Sequence, residues 1–168
     1  MGAFRILVAD DHPIFRFGLC SLLGSHDGWE VCGEAANGRD AVEKCRQLKP
    51  DLLILDICMP LLNGVDAARQ VLRDNPEQAI LVLTAVDSEQ VVRDCLEAGI
   101  RGWGFKSEAT DDLITAVEAL QRQQEHFRPA RIGSDYGRVP AESRQSSYGQ
   151  NAKAITARAR GRATSRRG

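Results

Sequence analysis

Five times between Phe4 and Gln121 the sequence passes from a short apolar run to a longer amphipathic stretch, and that alternation leaves few folds open. The runs Phe4–Ala9, Trp29–Ala35, Leu52–Leu55, Ile80–Leu83 and Gly102–Phe105 are bounded by polar residues or glycine. Runs of this length read as strands buried on both faces, the fifth being the weakest. Between them Ile14–Leu23, Ala41–Leu48, Val65–Leu72, Glu89–Ala98 and Asp111–Gln121 carry the helical period. Asn37, Ser88 and Thr110 stand where helix N-caps belong, Gly99 where a C-terminal glycine belongs, and Pro13 where the first turn needs no amide donor. Five β–α units in a row predict a parallel sheet with helices on both faces. Right-handed crossovers then favour a flavodoxin-like, doubly wound α/β fold with strand order 2-1-3-4-5.

Charge divides the chain. Residues 1–127 hold 12 Lys/Arg against 21 Asp/Glu, a net of −9, whereas residues 128–168 hold 10 against 2, a net of +8. The second region is rich in Arg, Ser, Gly and Ala, shows neither period, and has bulky apolar residues too scattered to form a core. It is expected to be a disordered, basic, low-complexity tail. No apolar run reaches the roughly eighteen residues of a membrane span, and the N-terminus lacks the pattern of a secretory signal, so a cytoplasmic protein with no membrane partner is expected. The five cysteines (Cys20, Cys32, Cys45, Cys58 and Cys95) form no CxxC pair and read as small apolar fillers.

Doubly wound sheets place their ligand sites at the carboxyl ends of the strands. Those ends hold Asp10 and Asp11 after the first strand, Asp56 after the third, Thr84 after the fourth and Lys106 after the fifth. Taken singly, an aspartate at a strand end is a cap or turn residue, Thr84 a strand residue and Lys106 a solvated charge. All five fall on one edge. Clustered carboxylates are best tolerated around a cation, and oxygen donors select Mg²⁺ or a similar hard ion. One carboxylate can then act as nucleophile toward a phosphoryl group, with the metal and Lys106 neutralising the developing charge. His12 reads as a helix-entrance residue without chemistry.

The segments ILVADDHPIFRFGL (6–19), DLLILDICMPLLNGVDAA (51–68), ILVLTA (80–85) and EAGIRGWGFKSEA (97–109) resemble the receiver domains of two-component response regulators, particularly the NarL/FixJ type. The resemblance spans roughly Phe4–Gln124 and makes residues 1–127 a receiver domain. It implies that Asp56 accepts a phosphoryl group from a sensor histidine kinase. It also implies that Asp11, Asp56 and the backbone carbonyl of Cys58 ligate Mg²⁺, with Asp10 acting through bound water. Thr84 and Lys106 would contact the phosphoryl oxygens, and Thr84 with the aromatic Trp103, three positions before the lysine, would form the switch. Receivers of this kind commonly pair through helix 4, strand 5 and helix 5, near Val92, Leu96, Ile114 and Val117. They catalyse nothing beyond their own phosphorylation and dephosphorylation.

The same family continues into a helix-turn-helix that reads DNA. After Gln124 this chain shows no such periodicity, so direct control of transcription is in doubt. Read one nucleotide out of frame, codons permitted for Ala154–Gly168 can spell LSPREREVVQLLAEG, which is similar to the opening of a LuxR-type DNA-binding domain. The tail is therefore read as a frameshifted helix-turn-helix segment. Rival expectations are a stand-alone signalling module or phosphate sink, non-specific DNA binding by the basic tail, and, last, a metal-dependent phosphatase of related α/β type.

Overall fold

The computed structural model describes residues 2–86, 88–107 and 110–127. The expectations for the tail, 128–168, fall outside these residues. Strands β1 (Phe4–Ala9), β2 (Trp29–Ala35), β3 (Leu52–Leu55), β4 (Ala79–Thr84), β5 (Gly102–Phe105) and β6 (His126–Phe127) form one sheet in the order β2-β1-β3-β4-β5-β6. Every neighbouring pair is parallel. The helices α1 (Pro13–Gly24), α2 (Gly38–Leu48), α3 (Gly64–Asp74), α4 (Glu89–Ala98) and α5 (Thr110–Gln121) alternate with the strands. The five parallel strands and the order expected for them are thus found, and the two-residue strand β6 extends the sheet beside β5. After α5 the chain reverses through Gln123, at φ 60°, and His126 and Phe127 lie beside Gly102 and Trp103. Two residues are too short to carry a period.

The two-residue period of the strands sorts the core into two layers. Ile6, Val8, Leu52, Ile54, Leu81 and Leu83 face a layer completed by Leu19 and Leu23 of α1 and by Ala116, Val117 and Leu120 of α5. Leu7, Ala9, Leu53, Leu55, Ile80 and Val82 face the opposite layer, with Ala41 and Val42 of α2, Ala67 and Val71 of α3 and Cys95 of α4. Each fully buried aliphatic side chain contributes about 1.5–3 kcal/mol. The edge strand β2 departs from the expectation of two buried faces, since only Trp29 and Ala35 are buried along it.

Loop chemistry then fixes where the strand ends point. Asn37 caps α2 by accepting from the Asp40 amide at 2.9 Å, and Asn63 caps α3 by accepting from the Asp66 amide at 2.9 Å. Ser88 stands at the N-cap of α4 without a side-chain cap bond, and Thr110 is the first residue of α5 rather than its cap. Gly99 ends α4 in the left-handed region at φ 91°. Gly64 is demanded by contact: a Cβ there would lie 2.1 Å from the Asp56 carbonyl oxygen. The loop after Asp56 therefore folds back tightly onto its own strand. All five cysteines are free; Cys45 and Cys95 are the expected buried fillers, whereas Cys58 is exposed. Among the described residues no helix is long and apolar enough to cross a membrane.

Candidate functional site at the carboxyl edge of the sheet

Strands β1 and β3 lie side by side in register, Ala9 opposite Leu55, so the residues that follow them emerge together. These are Asp10 and Asp56, each only 2% exposed. Lys106 arrives from the end of β5, its amide bonded to the Thr84 carbonyl at 3.0 Å. Its ammonium reaches Asp10 Oδ2 at 2.6 Å and Asp56 Oδ2 at 2.8 Å. The ring of Phe15, in the first turn of α1, lies 4.8 Å from the same Nζ. Burial pushes the Asp56 carboxyl above its ordinary range; the Lys106 bond pulls it back, and the Asp10 charge adds to the rise. Burial alone would lower the Lys106 ammonium, but its bonds to Asp10 and Asp56 outweigh this and hold it above its ordinary value. Two buried aspartates share one lysine here, and the pocket is short of positive charge.

Asp11 completes the carboxylate set. Its Oδ1 is buried and has no hydrogen-bond partner, although His12 Nδ1 lies 3.0 Å away out of line. An orphaned carboxylate oxygen beside two buried carboxylates is the environment a cation relieves. Donor atoms of Asp10, Asp11, His12 and Asp56 all lie within 4.8 Å of one another. The pocket is therefore an acidic one whose donors, mostly hard oxygens, suit a metal ion.

His12 is the residue the sequence reading passed over. Its amide donates to Asp10 Oδ1 at 2.8 Å, which turns the ring over the pocket. Nδ1 then lies 3.2 Å from Asp10 Oδ1 and 3.9 Å from Asp56 Oδ2. The run Asp10-Asp11-His12 was the available signal, since a tight turn there brings all three side chains to one point. Arg16 was missed too: its guanidinium donates to the Asp10 carbonyl at 2.6 Å and to Glu34 at 3.0 Å, anchoring the turn.

The other candidates are placed less directly. Thr84 is fully buried at the end of β4, and its Oγ1 accepts from the Val86 amide at 3.0 Å instead of meeting the carboxylates. The Cys58 amide donates to Asp56 Oδ1 at 3.4 Å, which keeps the residue beside the acid. Trp103 is 1% exposed, packed in the α2–α3–α4 layer edge-on to Phe105, with its indole N–H unpartnered. The ring is already inward while Thr84 is held by Val86. Beyond Cys58 the loop makes a strained turn, Leu62 N–H donating to the Pro60 carbonyl at 2.8 Å around Leu61 at φ 68°.

The family model for the response regulator receiver domain matches residues 6–118. The response regulator protein VraR of Staphylococcus aureus is 34% identical over 125 residues, 74% of this chain and 60% of VraR. The chain thus matches less than two thirds of that relative's length. A LuxR-family two-component response regulator from an Aurantimonas species superposes with a TM-score of 0.73 at 30% identity, over 76% of this chain and 91% of that one. The isolated receiver domain of RcsB from Salmonella enterica, solved with the phosphomimetic BeF3⁻, gives 0.69 at 29% identity over 76% and 94%.

Proposed function

The chain belongs to the response regulator receiver family, and from that premise we propose that Asp56 is its phosphoacceptor. A carboxylate oxygen of Asp56 attacks the phosphorus of a phosphohistidine on a sensor histidine kinase. The P–N bond breaks, its electron pair leaves with the imidazole nitrogen, and an aspartyl phosphate forms. Lys106, bonded to both Asp10 and Asp56, balances charge on the transferring group. Asp11, Asp56 and the Cys58 carbonyl, with Asp10 close by, would hold Mg²⁺, which when bound would supply further positive charge for the transferring group. Thr84 gives up the Val86 amide to reach the phosphoryl oxygens, and this release is what Trp103 and its neighbours sense. The product is a signal, and the chain works as a signalling module instead of turning over a substrate.

The observation that carries this reading is the orphaned Asp11 oxygen beside the Asp10–Lys106–Asp56 bridge. Incubation with Mg²⁺ and a small acyl phosphate should add the mass of one phosphoryl group, mapped to Asp56. Asp56→Ala should take up none. Equal labelling of the variant, or a label on Asp10 or Asp11, would overturn the assignment.

For residues 128–168 we propose a helix-turn-helix segment read out of frame, with residues 1–127 acting as a signalling module by protein contact or as a phosphate sink. The ten basic residues of the tail favour one second reading, non-specific binding of DNA. The nucleotide sequence decides the first: the displaced frame must stay open and continue into helix-turn-helix sequence.

A further inference from the structure

The Mg²⁺ reading leaves one donor of the pocket unused. His12, its side chain 65% exposed, is held over the carboxylates by its own backbone, since its amide donates to Asp10 Oδ1 at 2.8 Å. Nδ1 then lies 3.0 Å from Asp11 Oδ1, 3.2 Å from Asp10 Oδ1 and 3.9 Å from Asp56 Oδ2. Of these, the Asp10 contact has hydrogen-bond geometry, whereas the buried Asp11 oxygen has no hydrogen-bond partner. An imidazole nitrogen and a carboxylate oxygen side by side, not bonded to each other, have the spacing of two ligands of one ion.

Geometry and softness select that ion. Zn²⁺ in a four-ligand protein site is tetrahedral, with metal–nitrogen and metal–oxygen distances of about 2.0–2.2 Å. The donors of such a tetrahedron stand about 3.3–3.6 Å apart. The distances from Nδ1 bracket this spacing, and donor atoms of all four residues lie within 4.8 Å of one another. Mg²⁺ prefers oxygen and keeps several waters, so an imidazole adds little to its binding. Zn²⁺ gains a strong fourth ligand from the same ring. Lys106 leaves Asp10 Oδ1 free for the ion because it takes Oδ2, and it shares with the donor set only Asp56 Oδ2. A divalent ion and Lys106 together balance the charges of the three carboxylates.

We propose that Asp10, Asp11, His12 and Asp56 give this pocket a second binding mode, a closed Zn²⁺ site that displaces Mg²⁺ and blocks phosphoryl transfer to Asp56. Neutral His12 offers its Nδ1 lone pair to the ion, with the ring proton on Nε2. Four protein ligands leave no open position for a phosphoryl oxygen, which a metal that assists the transfer must provide. The binding needs only the pocket; the block alone rests on Asp56 being the phosphoacceptor.

Titration of the full 168-residue chain with Zn²⁺ against a chromophoric chelator, and with Mg²⁺ by calorimetry, tests the site. His12→Ala should raise the Zn²⁺ dissociation constant at least about tenfold and change that for Mg²⁺ less than about twofold. An unchanged thermal midpoint of the metal-free variant separates a lost ligand from lost folding. Co²⁺ in place of Zn²⁺ should give the intense visible bands of tetrahedral coordination, absent in His12→Ala. Zn²⁺ should also abolish labelling by a small acyl phosphate in the parent chain and not in His12→Ala. If Mg²⁺ alone supports no labelling, the phosphoacceptor reading fails, and the titrations still decide the Zn²⁺ site. Equal Zn²⁺ affinity in His12→Ala, or a six-coordinate Co²⁺ spectrum, would overturn the proposal. So would Zn²⁺ binding lost in Cys58→Ser, which would move the ion to the exposed thiol.

Discussion

Strands β1 and β3 each change character within one residue. Ala9 and Leu55 close apolar runs that are almost wholly buried, and Asp10 and Asp56 follow them at 2% exposure. The interior of each strand is stabilised by its surroundings, whereas its last buried position is not. Apolar side chains gain from leaving water, but a carboxylate taken out of water loses hydration that one shared lysine only partly replaces. The same burial thus has opposite sign on either side of the Ala9–Asp10 and Leu55–Asp56 bonds. Stability is generated below the edge and consumed at it.

The largest effect that would break this comparison lies in the core. Leu53→Ala empties space at a residue with no solvent exposure, and should cost about 2–5 kcal/mol in chemical denaturation. A loss under about 1 kcal/mol would mean the layer can collapse and is not close-packed. At the edge the sign should invert. Asp56→Asn removes one of the three carboxylates, and in metal-free buffer should stabilise the domain by about 1–2 kcal/mol. Because Asp56 titrates above its ordinary value of 3.8, the native carboxyl holds its proton more tightly than the unfolded one. The gain should be full at neutral pH, shrink as pH falls through the raised value, and vanish below about 3.8. A destabilised variant would show that the Lys106 bonds outweigh the repulsion. The smallest effect sharpens the contrast with an exposed carboxylate. Asn63 both caps α3 and donates to Asp66, and with Arg69 holds that carboxyl below its ordinary range. Asn63→Ala should cost about 1 kcal/mol in thermal denaturation, mostly from the cap. The part due to the Asp66 charge should be present above the ordinary carboxylate range and disappear as pH falls through the lowered value.

What the sequence disclosed follows the same division. Core strands are legible because four or five apolar residues in a row have few other uses, and all five long strands lie within one residue of their expected bounds. Asp10, Asp56 and Lys106 were legible because a strand end fixes a residue's place to within one position. Side-chain direction was not. Whether the Thr84 hydroxyl turns to Asp56 or to Val86, or the His12 ring swings over the carboxylates, is decided by single backbone amides no pattern records. Trp103 shows the limit most clearly: the resemblance implied a switch residue at its position, but only packing shows the ring fully buried with an unpaired N–H. Ile14 and Phe17, exposed on α1, were hidden for the converse reason. Within a helix whose Leu19 and Leu23 are core, nothing in their spelling separates a side chain that packs inward from one that faces water.

The short strand β6 has a consequence for how copies of this protein can meet. Without it, β5 would form the rim of the sheet: four uncharged residues, two of them aromatic, with a free row of backbone donors and acceptors. Such a rim is a template for a strand from another molecule. His126 and Phe127 pair with Gly102 and Trp103 and occupy that row with the protein's own chain. The opposite rim, β2, shows Glu30 and Glu34 to solvent, and their charge discourages an added strand. With one rim covered and the other guarded, growth of the sheet by edge-to-edge recruitment is suppressed on both sides.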